Sequence, residues 1–314
     1  MESQFIEISI DKHEEPVLED KNSQSNVHRV YESIQRFIFK DSVHKKQGPI
    51  SYLYYPTFTI LVTLAEFGLL VWVCSFGFVN PAINPMLGPS AQSLLDAGGK
   101  WTPYIIERSE WWRLISAMFL HAGIIHFISN LIAQLFICSA LEIKYGTHVI
   151  GIVYILTGIS GNVWSAIFTP GFVTVGASGA LFGMFGMWTV EIFKYFRLLH
   201  YPWGTLFGML LSMVISFALG ILPYVDNYAH LGGYIPGVLL GMLFIPNPRA
   251  TSKFRRYSGF ALRITGGILF LAIFIGTFCV LYLVQEPVSS WCPGCSYFNC
   301  IPRIVNGVNW CEGF

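Results

Sequence analysis

The sequence predicts an all-α membrane protein, a bundle of seven transmembrane helices. Three observations carry this. Only 12% of residues are charged while 54% are apolar, about half the charged fraction of a soluble domain. Seven segments approach the roughly 20 apolar residues that a spanning helix needs. Lysine and arginine crowd onto one side of those segments. The net charge of +1 supplies no field to gather nucleic acid, and no such partner is expected.

The elements follow in order. Residues 1–46 read as a cytosolic tail, mixed in charge and disordered to residue 28 (Asp11, Glu14, Glu15, Glu19, Asp20, Lys21), then more basic. No cleavable signal peptide opens the chain. Candidate spans lie near 57–79, 114–140, 148–168, 178–193, 204–222, 229–246 and 261–284. The first six form a core over 57–246, with a first loop at 80–113; a basic loop at 247–260, the seventh helix at 261–284 and a tail at 285–314 complete the chain. Hydropathy alone secures the first, third, fifth and seventh spans. The second carries His121, His126, Asn130 and Gln134, the fourth is short, and the sixth begins at a histidine and contains Pro236.

With the N-terminus cytosolic, thirteen Lys and Arg fall on that side, from Arg29 to Arg263. Four fall outside, namely Lys100, Arg108, Arg113 and Arg303. Seven spans then put the C-terminal tail outside, with Cys292, Cys295, Cys300 and Cys311. An oxidising compartment favours two disulfides there, and the pairing is open. A zinc site is the rival, because Cys292 and Cys295 have ligand spacing. Cys74, Cys138 and Cys279 lie in spans and read as packing residues.

Polar groups inside a span are costly and mark function. Ser178 lies 16 residues from Lys194, His126 lies 16 from Glu142, and His230 lies 17 from Asn247. Each is thus about 24–26 Å from the cytosolic edge, which places all three at one level near the outer face. Asn130 shares the face of His126, and His121, about 140° around the same helix, faces elsewhere. Ser178 enters the fourth span between glycines and is expected to be its N-cap. The open N–H groups at that helix start suit a developing oxyanion. Irregular backbone at this depth implies a wet pocket open to the outer side. A serine hydroxyl needs a base, and His230 is the candidate. Gly179 and Gly183 on the fourth span and Gly233 and Gly237 on the sixth allow close helix approach. Asp226 would sit above the site in the outer loop, so a Ser–His dyad is the reading rather than a triad.

These residues resemble the rhomboid family of intramembrane serine proteases. Gly176-Ala177-Ser178-Gly179 matches its Gly-x-Ser-Gly motif, and Ala229-His230 through Gly233 and Gly237 matches its Ala-His-x-x-Gly-x-x-x-Gly. His121, His126 and Asn130 match its second-span pattern, and Trp112-Arg113 matches the end of its first loop. The resemblance implies Ser178 as nucleophile and His230 as base. It implies an oxyanion hole from His126, Asn130 and the Ser178 N–H, and Gly176 against the substrate backbone. The loop 222–228 and the fifth span would form a lateral gate or cap. The seventh span and Asn84-Pro85-Met86-Leu87-Gly88-Pro89-Ser90 resemble the eukaryotic secretory-pathway branch, implying a Golgi or plasma-membrane location. Phe182 stands where bacterial members often have Tyr, so stacking on the histidine is kept and a phenol hydrogen bond is lost.

The implied substrates are single-span membrane proteins cut near the outer face, releasing ectodomains. Membrane lipids are the other expected partner, and no metal or cofactor is implied. Oligomeric state and the role of Glu66 are left open. His121 reads as structural support for the first loop, Trp101, Trp111 and Trp112 as interfacial anchors, and Arg113 as a tie for that loop. The rival readings are an inactive rhomboid-like chaperone or trafficking adaptor, and a small transporter. Inactive members of the family typically lack the Ser or the His, or carry a Pro beside the site; this chain keeps both and lacks that Pro. No inverted repeat supports the transporter.

Overall fold

A computed structural model describes residues 55–219, 225–247 and 253–284, with isolated positions in the C-terminal tail. The tail 1–46, residues 222–224 of the loop 222–228, part of the basic loop, Cys300, Arg303 and Cys311 lie outside the described residues. The all-α expectation holds. The main helices are α1 (Thr57–Cys74), α2 (Ala91–Asp96), α3 (Thr102–Glu107), α4 (Arg113–Ser116), α5 (Ile124–Ala133), α6 (Ser139–Tyr145), α7 (Thr147–Phe168), α8 (Ser178–Tyr195), α9 (Pro202–Leu219), α10 (Asn227–Phe244) and α11 (Lys253–Leu283). A two-residue antiparallel pair, Ile304–Val305 with Val308–Asn309, lies in the tail. Among the described residues, Thr57–Cys74, Ile124–Tyr145, Thr147–Phe168 and Ser258–Leu283 are long and apolar enough to cross a membrane. Pro202–Ala218 is apolar but shorter, so hydropathy and length together favour the second span over the fifth.

The second span starts later than expected. Residues 113–119 form α4 and a short 3-10 turn, and α5 begins at Ile124. The cause is the first loop, which docks on this segment. Asn84 is fully buried, and its Nδ2 donates to the carbonyls of Ala122 (2.8 Å) and Pro89 (2.9 Å). The N–H groups of Ile124 and Ile125 donate to the carbonyls of Leu87 and Met86, at 3.1 Å each, filling the open donors of the helix start. His121 therefore precedes the helix, and its expected position around that helix does not apply. Downstream, α5 and α6 are joined by a π turn at Gln134–Cys138, completing one 22-residue span.

At the opposite end Glu142 of α6 accepts the N–H groups of Phe58 (2.7 Å) and Thr59 (2.8 Å), so one span caps the start of another. Lys144 pairs with Glu191, joining α6 to α8. Glu66 of α1 finds its partners on two neighbouring spans: Tyr154 of α7 donates to Oε1 at 2.9 Å and Gln134 of the π turn to Oε2 at 3.0 Å. A buried carboxyl in a span is thereby hydrogen-bonded rather than stranded.

The centre of the bundle is α7, α8 and α10. A Cβ built on Gly233 would lie 1.9 Å from the Gly179 carbonyl oxygen, and one on Gly237 would lie 2.1 Å from that of Gly183. Gly183 also faces Thr157 of α7 at 2.1 Å, and Gly161 of α7 faces the Ala229 carbonyl at 2.7 Å. No side chain larger than hydrogen fits these positions, so backbone meets backbone.

Candidate active site

Gly176, at φ +131°, makes the turn into α8. Its N–H donates to the Ala117 carbonyl at 2.9 Å, which pins the turn to the 3-10 segment. Ala177 is already helical at φ −68°, ψ −10°, so it is the N-cap, and Ser178 is the first helical residue. The expected capping role of Ser178 is thus corrected. No side chain caps α8, and the half-buried Ser178 hydroxyl is not spent on that task.

His230 lies in the first turn of α10, 2% exposed. Its ring stacks on Phe182 at 4.1 Å and 9°. Phe182 is one helical turn beyond Ser178, on the same face of α8. Gly179, the residue after Ser178, meets the Ala229 carbonyl, the residue before His230, at 3.3 Å from its built Cβ. The close contact of α8 and α10 therefore brings the two segments to one place. Phe217 of α9 packs edge-on to the imidazole at 5.8 Å. Among the described residues neither ring nitrogen of His230 has a hydrogen-bond partner, an uncommon state for a buried imidazole.

His126 and Asn130, one turn apart on α5, are both buried. A Cβ built on Gly176 would lie 2.7 Å and 3.0 Å from His126 Cε1 and Nε2, and 3.6 Å from Asn130 Nδ2. The turn before Ser178 thus passes directly over both side chains, and glycine is required there on two counts: space and φ. The Ala122 N–H approaches His126 Nδ1 at 3.4 Å, which leaves Nε2 to carry the ring proton. Asn130 Nδ2 is buried without an acceptor among the described residues. His121 packs edge-on to His126 at 5.4 Å and to Phe127 at 5.2 Å, behind the cluster.

Of the first-loop anchors, sequence reasoning anticipated Arg113 and missed Asn84 and Lys100. Asn84 secures the start of α5. The Arg113 guanidinium donates to the carbonyls of Leu95 (2.6 Å) and Gly99 (2.9 Å), and to Glu110. Lys100 is fully buried, its ammonium donating to the carbonyls of Thr169 (2.8 Å) and Phe172 (2.9 Å). Burial pushes its pKa down from 10.5 to about 8, against the opposing field of Asp226. A charged residue in a first loop gives no sequence signal of burial.

The C-terminal tail reaches the same end of the bundle. Cys292 and Cys295 form a disulfide, so of the two expectations for this pair the structure carries the disulfide. Tyr228 donates to the Cys295 carbonyl at 2.7 Å, and Asn227 Nδ2 to that of Phe298 at 2.9 Å. Phe298 packs on Phe217 and Tyr228.

Comparison with known proteins agrees with this architecture. Residues 108–247 match the Rhomboid domain. RHOMBOID-like protein 1 of Arabidopsis thaliana is 34% identical over 244 residues, covering 72% of this chain and 62% of that protein. RHOMBOID-like protein 2 of the same plant is 32% identical over 237 residues, covering 72% and 75%. Inactive rhomboid protein 1 of Homo sapiens is 35% identical over 193 residues, covering 62% and 22%. The chain spans less than two thirds of the length of RHOMBOID-like proteins 1 and 4, at 62% and 60%. The chain belongs to the rhomboid family, and is a multi-pass membrane protein with an intramembrane-protease-like fold.

Proposed function

We propose that the protein is an intramembrane serine endopeptidase working through a Ser178–His230 dyad. The observation that carries this reading is a buried imidazole with both nitrogens unpaired, stacked on Phe182 beside the Ser178 turn. Among the described residues the ring nitrogens of His121 are unpaired as well, so the weight falls on place: His230, not His121, stacks on Phe182 one turn beyond Ser178. In the reaction, the Ser178 hydroxyl attacks the scissile carbonyl carbon while His230 takes its proton. The carbonyl oxygen becomes an oxyanion held by Asn130 Nδ2, His126 Nε2 and the Ser178 N–H. His230 returns the proton to the leaving amine, and water then hydrolyses the acyl-enzyme by the same route. Aromatic stacking on Phe182, rather than a carboxylate, would orient the imidazole.

Single-span membrane proteins, cut near the outer face with release of their ectodomains, are the substrates this reading implies. The Lys and Arg asymmetry supports a cytosolic N-terminus and an exoplasmic tail, and the resemblance supports a secretory-pathway membrane. A non-catalytic role as chaperone or adaptor draws support from the similarity to Inactive rhomboid protein 1. One experiment separates the two. The protein is reconstituted in lipid, offered a single-span substrate and labelled with a fluorophosphonate probe. The protease reading expects cleavage and labelling that Ser178→Ala and His230→Ala abolish. Cleavage that survives Ser178→Ala would sink it.

A further inference from the structure

Asp226, expected in the outer loop above the site, is 3% exposed and is engaged at every oxygen. Its Oδ1 accepts the N–H groups of Tyr228 (2.9 Å) and Ala229 (3.2 Å), capping α10. Its main-chain carbonyl accepts the His230 N–H at 3.1 Å. Its Oδ2 accepts the hydroxyls of Thr169 (2.9 Å) and Thr174 (3.2 Å), and also that of Ser165. Thr174 is in turn paired with Lys100, main chain to main chain, at 2.9 Å and 3.1 Å. Thr174 lies four residues before Ser178, and Asp226 lies four residues before His230. One carboxylate therefore ties the chain entering α8 to the first turn of α10.

This matters because the imidazole has no hydrogen-bond partner among the described residues. Its place is set by the Phe182 stack and by where α10 begins. An N-cap fixes the first turn of a helix, and misplacing a reacting group by about 1 Å can cost roughly 100-fold in rate.

We propose that Asp226 is the positioning residue of the Ser178–His230 pair, fixing the approach of imidazole to hydroxyl by holding both entering segments on one side chain. The proposal rests on the reading of that pair as a catalytic dyad. Asp226 acts through two arms. One is the helix cap, which Ser can supply but Ala cannot. The other is the hydroxyl cluster, which Asn can reach but Ser cannot. Asn keeps the cap through Oδ1 and reaches the cluster with an amide Nδ2 that donates where Oδ2 accepted, so the hydroxyls must turn to accept from it, and the charge facing Lys100 is lost.

The test uses the full chain in lipid, with active sites counted by fluorophosphonate labelling and kcat and KM measured on a single-span substrate. Asp226→Ala is expected to lower kcat per labelled site by about 10- to 100-fold, with KM within about two-fold of wild type. Asp226→Ser should fall between Ala and wild type. Asp226→Asn should keep kcat within about three-fold while losing thermal stability, because buried Lys100 loses its counter-charge. A merely structural role would make stability and kcat fall together in Asn and Ala alike. Wild-type kcat per labelled site in Asp226→Ala, or a loss confined to KM or to the labelled fraction, overturns the proposal. Should the Ala variant not fold, Asp226→Ser decides, and wild-type kcat there overturns it equally. Activity surviving Ser178→Ala overturns the dyad reading itself, and this proposal with it. A dead Ser178→Ala beside an unimpaired Asp226→Ala overturns this proposal alone.

Discussion

The polar side chains near Ser178 divide by how their hydrogen bonds are met. Asn84, Arg113 and Asp226 have bonds directed at loop and helix ends, and they hold segments in place. Asn130 Nδ2 and the His230 nitrogens are buried and unmet among the described residues. On the proposed mechanism Asn130 donates to the oxyanion, so Asn130→Ala should lower kcat by about 10²- to 10³-fold with little change in KM, as steady-state cleavage would measure. Lys100 makes a separate prediction. It is charged in both folded and unfolded chains below pH 8, so it contributes no slope there. Between about 8 and 10.5 only the unfolded chain holds the proton, and stability should rise with pH. Denaturation followed across that window should show the slope in wild type and lose it in Lys100→Met.

At the scale of elements, the contact of α8 with α10 is set by absent side chains. A methyl at Gly233 would overlap the Gly179 carbonyl, and neither helix can yield without moving its backbone. Gly233→Ala should therefore destabilise by about 1–3 kcal/mol, and should lower cleavage by parting the segments of Ser178 and His230. Gly276 of α11 has open space around its Cβ, and Gly276→Ala should be neutral or slightly stabilising. Thermal melts of the two variants in one detergent compare them directly. The start of α5 teaches a different lesson. Apolar composition continues upstream of Ile124, so hydropathy extends the span to residue 114. The docked first loop ends it ten residues later by taking over the first N–H groups. Similarly, Ser178 looks like an N-cap from its neighbours, yet the turn at Gly176 moves the cap to Ala177.

For the molecule as a whole, charge asymmetry makes a topological prediction. A glycosylation acceptor placed in the tail at 285–314 should be modified in secretory membranes, and one placed within 1–46 should not. The tail lies at the same end of the bundle as Ser178 and His230, through Tyr228 and Phe298, so the same prediction puts the site on the modified side. Low charge and apolar segment length alone determined an all-helical membrane bundle, because lipid accepts no unpaired backbone. Motif spacing singled out Ser178, His126, Asn130 and His230, because helical rise converts residue counts into depth. Which groups hold the site together was decided only by the tertiary structure. The burial of Lys100, the two-armed grip of Asp226, the partners of Glu66 and the Cys292–Cys295 pairing all join residues far apart in the chain or in a tail with several possible pairings. Local sequence reports a residue's neighbours along the chain, whereas the cost of burying a charge is offset by neighbours in space.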